Sequence, residues 1–336
     1  MLRLGVKKRS HMSYKHTALV LLAVVVVISM LVSSCLPRIF FVELIELPVH
    51  EPPRTVVSIS SFSQRVFHMK ECLDSVYAQS QVPDRIIISI PKKFRSKEKT
   101  ACWFFDIVCY HDNQHYNESV EGMVDWFSEY TGIPYTYSVN LNTRNISYLY
   151  EFGILTVQFL DDDWGPATKL MGGLLLETHP ETVIITLDDD MVYHKDTVQW
   201  LATHMQDNIS LSFGCEMWTA DRKSFIDFTM WSIHDFYMTS PRVCDGWLVG
   251  WTGVAHHVSS FGPDIWTFPQ TLPVGCFYND DILLSGYVDR KGVQKVYAPM
   301  VMQHTKHMKH STLSLGTIVD TIGKYRFPCA RYLFPT

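Results

Sequence analysis

The sequence lacks the closely spaced cysteine pairs from which most structural zinc sites are built. None of its eight cysteines belongs to a Cys-x-x-Cys pair, so we do not expect a structural zinc site. Internal repeats and low-complexity segments are also absent. The chain has no basic excess either, because its net charge is −5 although residues 1–16 hold five basic side chains and no acid. That balance argues against a nucleic-acid partner.

Residues 17–36 contain no charged side chain. A helix of this length, rising about 1.5 Å per residue, spans the roughly 30 Å hydrocarbon core of a bilayer. Because the basic residues precede it, residues 1–16 are expected in the cytosol. We therefore predict a single-pass type II membrane protein of the secretory pathway, in the Golgi or ER, with its main domain in the lumen. A bacterial lipoprotein cleavage site at residues 32–35 ranks second, because the apolar run is long.

Three Asn-x-Ser triplets, at Asn117, Asn145 and Asn208, agree with a secretory location. In an oxidising lumen some of the cysteines should form disulfides. Cys102 and Cys109 are the nearest candidates in the sequence, but the connectivity stays open.

The pattern of apolar residues predicts an α/β domain over residues 55–336, joined to the membrane segment by a proline-containing linker at residues 37–54. Strands are predicted at residues 56–60, 85–90, 153–160, 182–187, 211–215 and 247–254, and helices at 66–77, 167–175 and 195–206. The first two strands and their helix form a strand–helix–strand unit with a right-handed crossover. Residues 92–150 are predicted as a partly helical insertion without an assigned function.

Three carboxylates, Asp188, Asp189 and Asp190, follow the apolar strand at residues 182–187. Carboxylates are costly to bury unpaired, so they should lie at an opening. The carboxyl ends of strands are where open α/β sheets bind ligands, and carboxylate oxygens suit Mg²⁺ or Mn²⁺. The alternative is a solvated acidic turn, although such a turn would more often contain Gly, Pro or Asn.

A second acidic segment, Asn279-Asp280-Asp281, lies where an apolar helix should begin. Near the end of the chain, residues 303–310 hold three histidines and two lysines. This segment has two interpretations, a solvated surface loop or a loop that closes on a metal-bound diphosphate and supplies an imidazole ligand and a cation.

Four segments in this order resemble glycosyltransferases of the GT-A fold, most closely the inverting, family-2-like enzymes. They are residues 57–65, 163–170, 182–190 and 279–281, and the likeness covers residues 55 to about 310. The resemblance implies a Rossmann-like α/β/α sandwich with a mostly parallel central sheet, here preceded by one transmembrane helix. It also implies a donor half at about 55–195 and an acceptor half at about 196–310.

The resemblance implies that Asp190 binds the metal and that Asp189 binds the donor ribose. Asp188 would support the metal, the ribose or both. His304 matches the late metal-ligand histidine of the family. The implied cofactors are Mn²⁺ or Mg²⁺ and a nucleotide-sugar donor, with a UDP-sugar first. Many family members hold uracil with an acid just after the second strand, but residues 89–91 are Ser-Ile-Pro here, so the nucleotide stays open.

The resemblance also implies roles in binding the nucleotide base, in approaching the donor and in deprotonating the acceptor hydroxyl. Ser61 and Arg65 fall in the loop that faces the nucleotide base, and Lys169 lies on the helix leading toward the donor. Asp281 matches the catalytic base. The chemistry agrees, because a divalent ion neutralises a diphosphate leaving group and a separate carboxylate can deprotonate the acceptor hydroxyl. The expected reaction is transfer, with inversion, to a glycan, protein or lipid.

Two rival functions come from other classes. An apolar strand followed by Asp-x-Asp-x-Val is also typical of haloacid-dehalogenase-like phosphatases, with Asp188 as nucleophile and Asp190 as acid/base. Residues 280–281 would then be the second acid pair and Lys223 the phosphate-binding lysine. Against this, that motif normally opens its domain, whereas two strands precede it here. The third hypothesis is a non-catalytic, membrane-anchored sugar-binding protein.

Overall fold

The structure of the protein, a computed structural model, describes part of the chain. The described residues are 47, 49, 51, 53–92, 120–138, 145–219, 225–227, 241–298, 306–307 and 325–335. The predicted membrane span, His304 and Lys223 lie outside them, as do Asn117, Cys102 and Cys109. Within the described part, no helix is both long and apolar enough to cross a bilayer.

The described residues form fifteen strands. They are β1 (Thr55–Ser60), β2 (Arg85–Pro91), β3 (Thr136–Ser138), β4 (Ile146–Phe152), β5 (Leu155–Leu160), β6 (Val183–Asp188), β7 (Met191–Val192), β8 (Ile209–Ser212), β9 (Cys215–Trp218), β10 (Phe225–Asp227), β11 (Arg242–Val243), β12 (Trp247–Leu248), β13 (Val254–His257), β14 (Gln294–Tyr297) and β15 (Lys306–His307). The α-helices of the same residues are α1 (Ser63–Val66), α2 (Lys70–Tyr77), α3 (Val120–Thr131), α4 (Thr168–Leu176), α5 (Thr197–His204), α6 (Asp280–Arg290) and α7 (Phe327–Leu333).

Ten of the strands form one sheet in the order β11-β14-β8-β13-β6-β1-β2-β5-β4-β3. Its four central strands, β6, β1, β2 and β5, are parallel. The flanks are mainly antiparallel, since β13 runs against β6 and β8, and β4 runs against β5. The predicted mostly parallel central sheet is thus confirmed, and the flanking strands add mainly antiparallel pairings to it. Local apolar patterns did not reveal the direction of the flanking strands.

Helices cover both faces of the sheet, which makes the fold a mixed α/β sandwich. One core cluster joins α2, α3 and α5 to one face, through side chains such as Leu73, Phe127 and Leu201. The other joins α4, α6 and α7 to the opposite face, through Leu170, Ile282 and Leu333 among others. Neighbouring β6 residues point to opposite clusters, so this strand is buried on both faces as its continuous apolar run predicts.

Helix α4 packs unusually closely on the sheet because it contains two consecutive glycines. A Cβ on Gly172 would lie 1.9 Å from Ser89 Oγ, and one on Gly173 would lie 3.1 Å from Ser58 Oγ. Beneath the helix, Gln158 Nε2 donates to the Gly172 carbonyl at 2.8 Å. These contacts hold the start of α4 against the carboxyl ends of the central strands.

Two of the predicted strands are each split in the structure. Residues 247–254 divide into β12, a 3₁₀ turn at Gly250–Thr252 and β13, and the two strands belong to different sheets. Residues 211–215 likewise divide between β8 and β9. In the predicted insertion at 92–150, the described residues include α3 but also β3 and β4 of the main sheet. Glycine-containing turns interrupt strands without interrupting the apolar pattern, so the pattern overestimated their length.

Two disulfides connect distant parts of the described chain. Cys215 is bonded to Cys244, and Cys276 is bonded to Cys329. The second links the segment just before α6 to α7. The candidate pair Cys102 and Cys109 lies outside the described residues and stays a prediction.

Candidate functional site

The site begins where β1 and β6 end side by side. The two strands are parallel, and Ser60 pairs with Asp188 in their register. The loop after β1, which leads into α1, therefore meets the three carboxylates after β6. Tyr193 supports this turn, because the Asp188 N–H donates to the Tyr193 hydroxyl at 2.7 Å.

Ser61 and Arg65 both bind the second carboxylate. Ser61 Oγ donates to Asp189 Oδ2 at 2.6 Å, and the Arg65 guanidinium donates to Asp189 Oδ1. Arg65 also pairs with Asp190 Oδ2 at 3.0 Å. Burial raises the pKa of Asp189 to about 6, although Arg65 and Ser61 act to lower it. Asp189 is thus an interior carboxylate held by two donors, Ser61 from the loop after β1 and Arg65 from α1.

Lys169, near the start of α4, joins the two acidic groups of the sequence. Its Nζ lies 2.5 Å from Asp188 Oδ1 and 2.8 Å from Asp280 Oδ2. The lysine is 4% exposed, so its charge is screened by these partners rather than by water. Burial alone would lower the pKa of Lys169, but Asp188 and Asp280 raise it well above its ordinary value. Ser58 Oγ donates to the Lys169 carbonyl at 2.5 Å and fixes this turn of the helix.

The first turn of α6 presents Asp281 beside the same lysine. The Gly250 N–H donates to Asp281 Oδ1 at 2.9 Å. A Cβ on Gly250 would lie 2.3 Å from that oxygen and 3.1 Å from Lys169 Nζ, so glycine is required for this approach. Burial and then the charge of Asp280 raise the pKa of Asp281 to about 8, against the opposing effect of Lys169. Asp281 therefore binds a proton more tightly than an exposed carboxylate does.

The structure brings together the predicted site residues that it describes. These are Ser61, Arg65, Lys169, Asp188, Asp189, Asp190 and Asp281. The predicted ligand His304 lies outside the described residues. Nearby in the chain, Lys306 and His307 pair with β7, immediately after the acidic triplet.

Sequence reasoning missed two contributors to the site. Tyr193 orders the turn after β6, and the Gly250 N–H orients Asp281. Tyr193 reads in the sequence as one more apolar residue. Gly250 has a visible signal, a glycine between bulky residues in a predicted strand, which often marks close backbone approach.

The carboxylates present fit a hard divalent cation. The side chains of Asp188 and Asp190 are 31% and 19% exposed, whereas that of Asp189 is 7% exposed. Mg²⁺ in nucleotide sites is usually bound by one or two carboxylates together with substrate phosphates. Asp188 and Asp190 are therefore the accessible ligand candidates. Among the described residues, no three His, Cys, Asp or Glu side chains are grouped to hold one metal ion.

Comparisons with known proteins found likenesses in structure alone. The sequence matches no protein-family profile and no curated protein. Among solved structures, a mannosyltransferase from Pyrobaculum calidifontis in complex with GDP-Man and Mn²⁺ is 14% identical at a TM-score of 0.42. The match covers 77% of this chain and 58% of the mannosyltransferase chain.

Two further structures are similar at lower scores. Glucosyl-3-phosphoglycerate synthase from Mycobacterium tuberculosis, in complex with Mn²⁺, UDP and phosphoglyceric acid, is 12% identical at a TM-score of 0.35, with 84% of this chain and 87% of that chain covered. The galactosyltransferase LgtC, in complex with donor and acceptor sugar analogues, is 11% identical at a TM-score of 0.30, with 71% and 70% covered.

Proposed function

We propose that the protein is a metal-dependent glycosyltransferase that moves a sugar from a nucleoside-diphosphate donor to a hydroxyl acceptor, with inversion. One observation supports this most strongly. Two clusters of aspartates from distant parts of the sequence, one after the central strand β6 and one at the start of α6, lie together and are bridged by the buried Lys169. The cluster after β6 suits a cation that would in turn bind a diphosphate. The cluster at the start of α6 contains Asp281, whose raised pKa suits proton exchange.

On the donor side, Asp190 and Asp188 are the proposed ligands of Mn²⁺ or Mg²⁺, with His304 as a further ligand. The bound ion would supply Lewis-acid stabilisation of the diphosphate leaving group. Arg65 offers planar, charge-assisted donors near the same oxygens. Ser61 and Asp189 lie deeper, where they would orient the ribose and base of a donor such as a UDP-sugar.

On the acceptor side, Asp281 is the proposed general base. Its carboxylate would accept the proton of the attacking hydroxyl, which then displaces the diphosphate in a single step and inverts the anomeric carbon. Asp280 has a different task, because its pairing with Lys169 keeps the lysine between the two acidic groups. Lys169 thereby places positive charge beside both the leaving group and the base.

A type II arrangement completes the proposal. Residues 17–36 would anchor the enzyme, and the domain from residue 55 onward would work in the lumen of the Golgi or ER on a glycan, protein or lipid acceptor. The two disulfides of the described chain support this setting, because such bonds persist in oxidising compartments.

The test is a donor screen on the full-length chain in detergent with Mn²⁺. UDP-, GDP- and CMP-sugars are supplied in turn, and release of free nucleotide is measured with and without chelator. We expect release from one donor, loss with chelator, and recovery with Mn²⁺ or Mg²⁺. Asp190→Ala should lose metal-dependent donor binding, whereas Asp207→Ala, an exposed acid outside the site, should retain it.

Other outcomes would establish a rival function. Phosphate release from phosphomonoesters with a trapped phosphoryl group on Asp188 would identify a phosphatase. Saccharide binding without nucleotide release from any donor would identify a sugar-binding protein. Unchanged affinity and metal response in Asp190→Ala would remove the metal role assigned to that residue.

A further inference from the structure

A groove of about 240 Å³ lies between the loop after β5 and the segment that leads to α6. Its walls include Trp164 and Trp266, whose ring centroids are 5.8 Å apart at an angle of 54°. Asp162, Asn145 and Gln270 line it with polar side chains. The groove thus combines tilted aromatic surfaces with hydrogen-bonding groups.

We propose that this groove binds a neutral saccharide portion of the acceptor, one or more sugar units away from the reacting hydroxyl. The inference rests on the proposed function and names the class of its acceptor. Sugars present apolar C–H faces and a rim of hydroxyls. An aromatic wall with a few fixed polar groups binds both parts, as in other small-molecule sites.

The charge of the groove selects among saccharides. The charged residues among its described lining are acids, Asp162 and Asp163, and none of that lining is basic. A phosphate, uronate or sialyl group would be repelled there. The acidic lining therefore favours a neutral sugar over the diphosphate of the donor.

Each wall of the groove is close in the chain to a residue of the site. Trp164 precedes Lys169 by five residues on the segment that becomes α4, and Phe277 precedes Asp281 by four. Four residues span at most about 15 Å of chain, so the Phe277 wall of the groove lies within that distance of Asp281. The two walls are in direct contact, because a Cβ on Gly165 would lie 2.4 Å from the Phe277 carbonyl oxygen.

The experiment uses the full-length chain and neutral mono- to tetrasaccharides of the gluco-, galacto-, manno-, xylo- and N-acetylglucosamine series. Binding is measured by saturation-transfer NMR, and transfer by acceptor KM with the donor found in the screen. Trp266→Ala should raise the KM for oligosaccharides about tenfold, as truncation of an aromatic anchor does. Donor KM, and the KM for a monosaccharide, should change by less than about twofold.

Three variants separate binding from folding. Trp266→Phe keeps an aromatic surface and should retain most affinity, while Gln270→Ala changes an exposed groove residue and should raise KM several-fold without loss of thermal stability. Tyr137→Ala removes an exposed aromatic on β3 outside the groove and should have no effect.

The two hypotheses fail in different ways. If wild type releases nucleotide but Trp266→Ala and Gln270→Ala match Tyr137→Ala with every saccharide, the groove inference is wrong and the transferase stands. If no donor is turned over, the proposed function is wrong whatever the groove binds. Preferred binding of anionic saccharides would also overturn the inference.

Discussion

At the scale of single residues, Asp281 shows why burial and catalysis belong together. The same desolvation that makes its charge costly raises its pKa to about 8, near the pH at which a base must accept and release a proton. The Gly250 N–H holds one carboxylate oxygen, so the side chain keeps its direction in either protonation state.

Asp281→Asn should lower turnover by about 10²–10⁴-fold, the usual contribution of a general base, while donor and metal binding persist. The Asn side-chain oxygen can accept the same Gly250 N–H, so the shape of the site is retained. In wild type, kcat/KM should rise with pH up to about 8 as Asp281 loses its proton, and this rise should be absent from the residual activity of the variant.

The matched control is Asp207→Asn, an exposed acid elsewhere, which should leave both turnover and the pH profile unchanged. If Asp281 served only to stabilise the helix start, Asn would replace it at a cost of about 1 kcal/mol or less and activity would survive. Near-normal turnover in Asp281→Asn, or a product that retains the donor configuration, would contradict the assigned role.

The raised pKa of Asp281 also predicts an effect on stability. Replacement by Asn, which should lower turnover, should raise the melting temperature at alkaline pH. Because the folded pKa of Asp281 is raised from 3.8 to about 8, the folded state holds a proton that the unfolded chain releases. Its contribution to stability is complete below pH 3.8 and is lost as the pH rises through about 8. Asp281→Asn should therefore melt at a higher temperature than wild type at pH 8.5, with the difference shrinking toward pH 4. Equal shifts at both pH values would contradict this.

At the scale of elements, α4 positions the site through its glycines. Helix propensity alone predicts that Gly172→Ala is stabilising by up to about 1 kcal/mol. The 1.9 Å approach to Ser89 Oγ reverses that sign, because a methyl group there must push α4 off the sheet. We expect a loss of about 1–3 kcal/mol in the free energy of unfolding. Turnover should fall as well, since α4 holds Lys169.

A double-mutant cycle with Ser89→Gly tests the cause. Removing the Ser89 side chain deletes the nearest atoms, so the double variant should recover part of the stability and the activity lost in Gly172→Ala. Urea unfolding and nucleotide release provide the two measurements. A Gly172→Ala protein as stable as wild type would show that α4 has more room than its packing indicates.

At the scale of the whole molecule, topology and glycosylation test the secretory assignment. In sealed microsomes, residues 55–336 should resist protease until detergent is added. Asn208 is exposed, whereas Asn145 is partly buried and lines the saccharide groove, so the glycan should be on Asn208 rather than Asn145. Asn208→Gln should therefore reduce the mass shift caused by glycosidase by one glycan, whereas Asn145→Gln should leave it unchanged. Full digestion without detergent would reverse the predicted orientation.

The sequence by itself determined the short-range features. The apolar run of β6 predicted a strand buried on both faces, and residues 279–281 predicted the start of α6, because both patterns depend only on neighbours in the chain. Asp188 was predicted at a cation site from the acidic triplet itself, whereas the roles of Lys169 and Asp281 came through the family resemblance.

Only the tertiary structure decided how these pieces meet. The register that sets Ser60 beside Asp188, and the placement of Lys169 between Asp188 and Asp280, depend on residues far apart in sequence. The direction of the flanking strands was likewise not visible, since it follows from packing across the sheet. At Gly250 the glycine signalled a close backbone approach, but its partner, Asp281, was known only from the fold. A local pattern records which side chains prefer burial, but it does not record their partners.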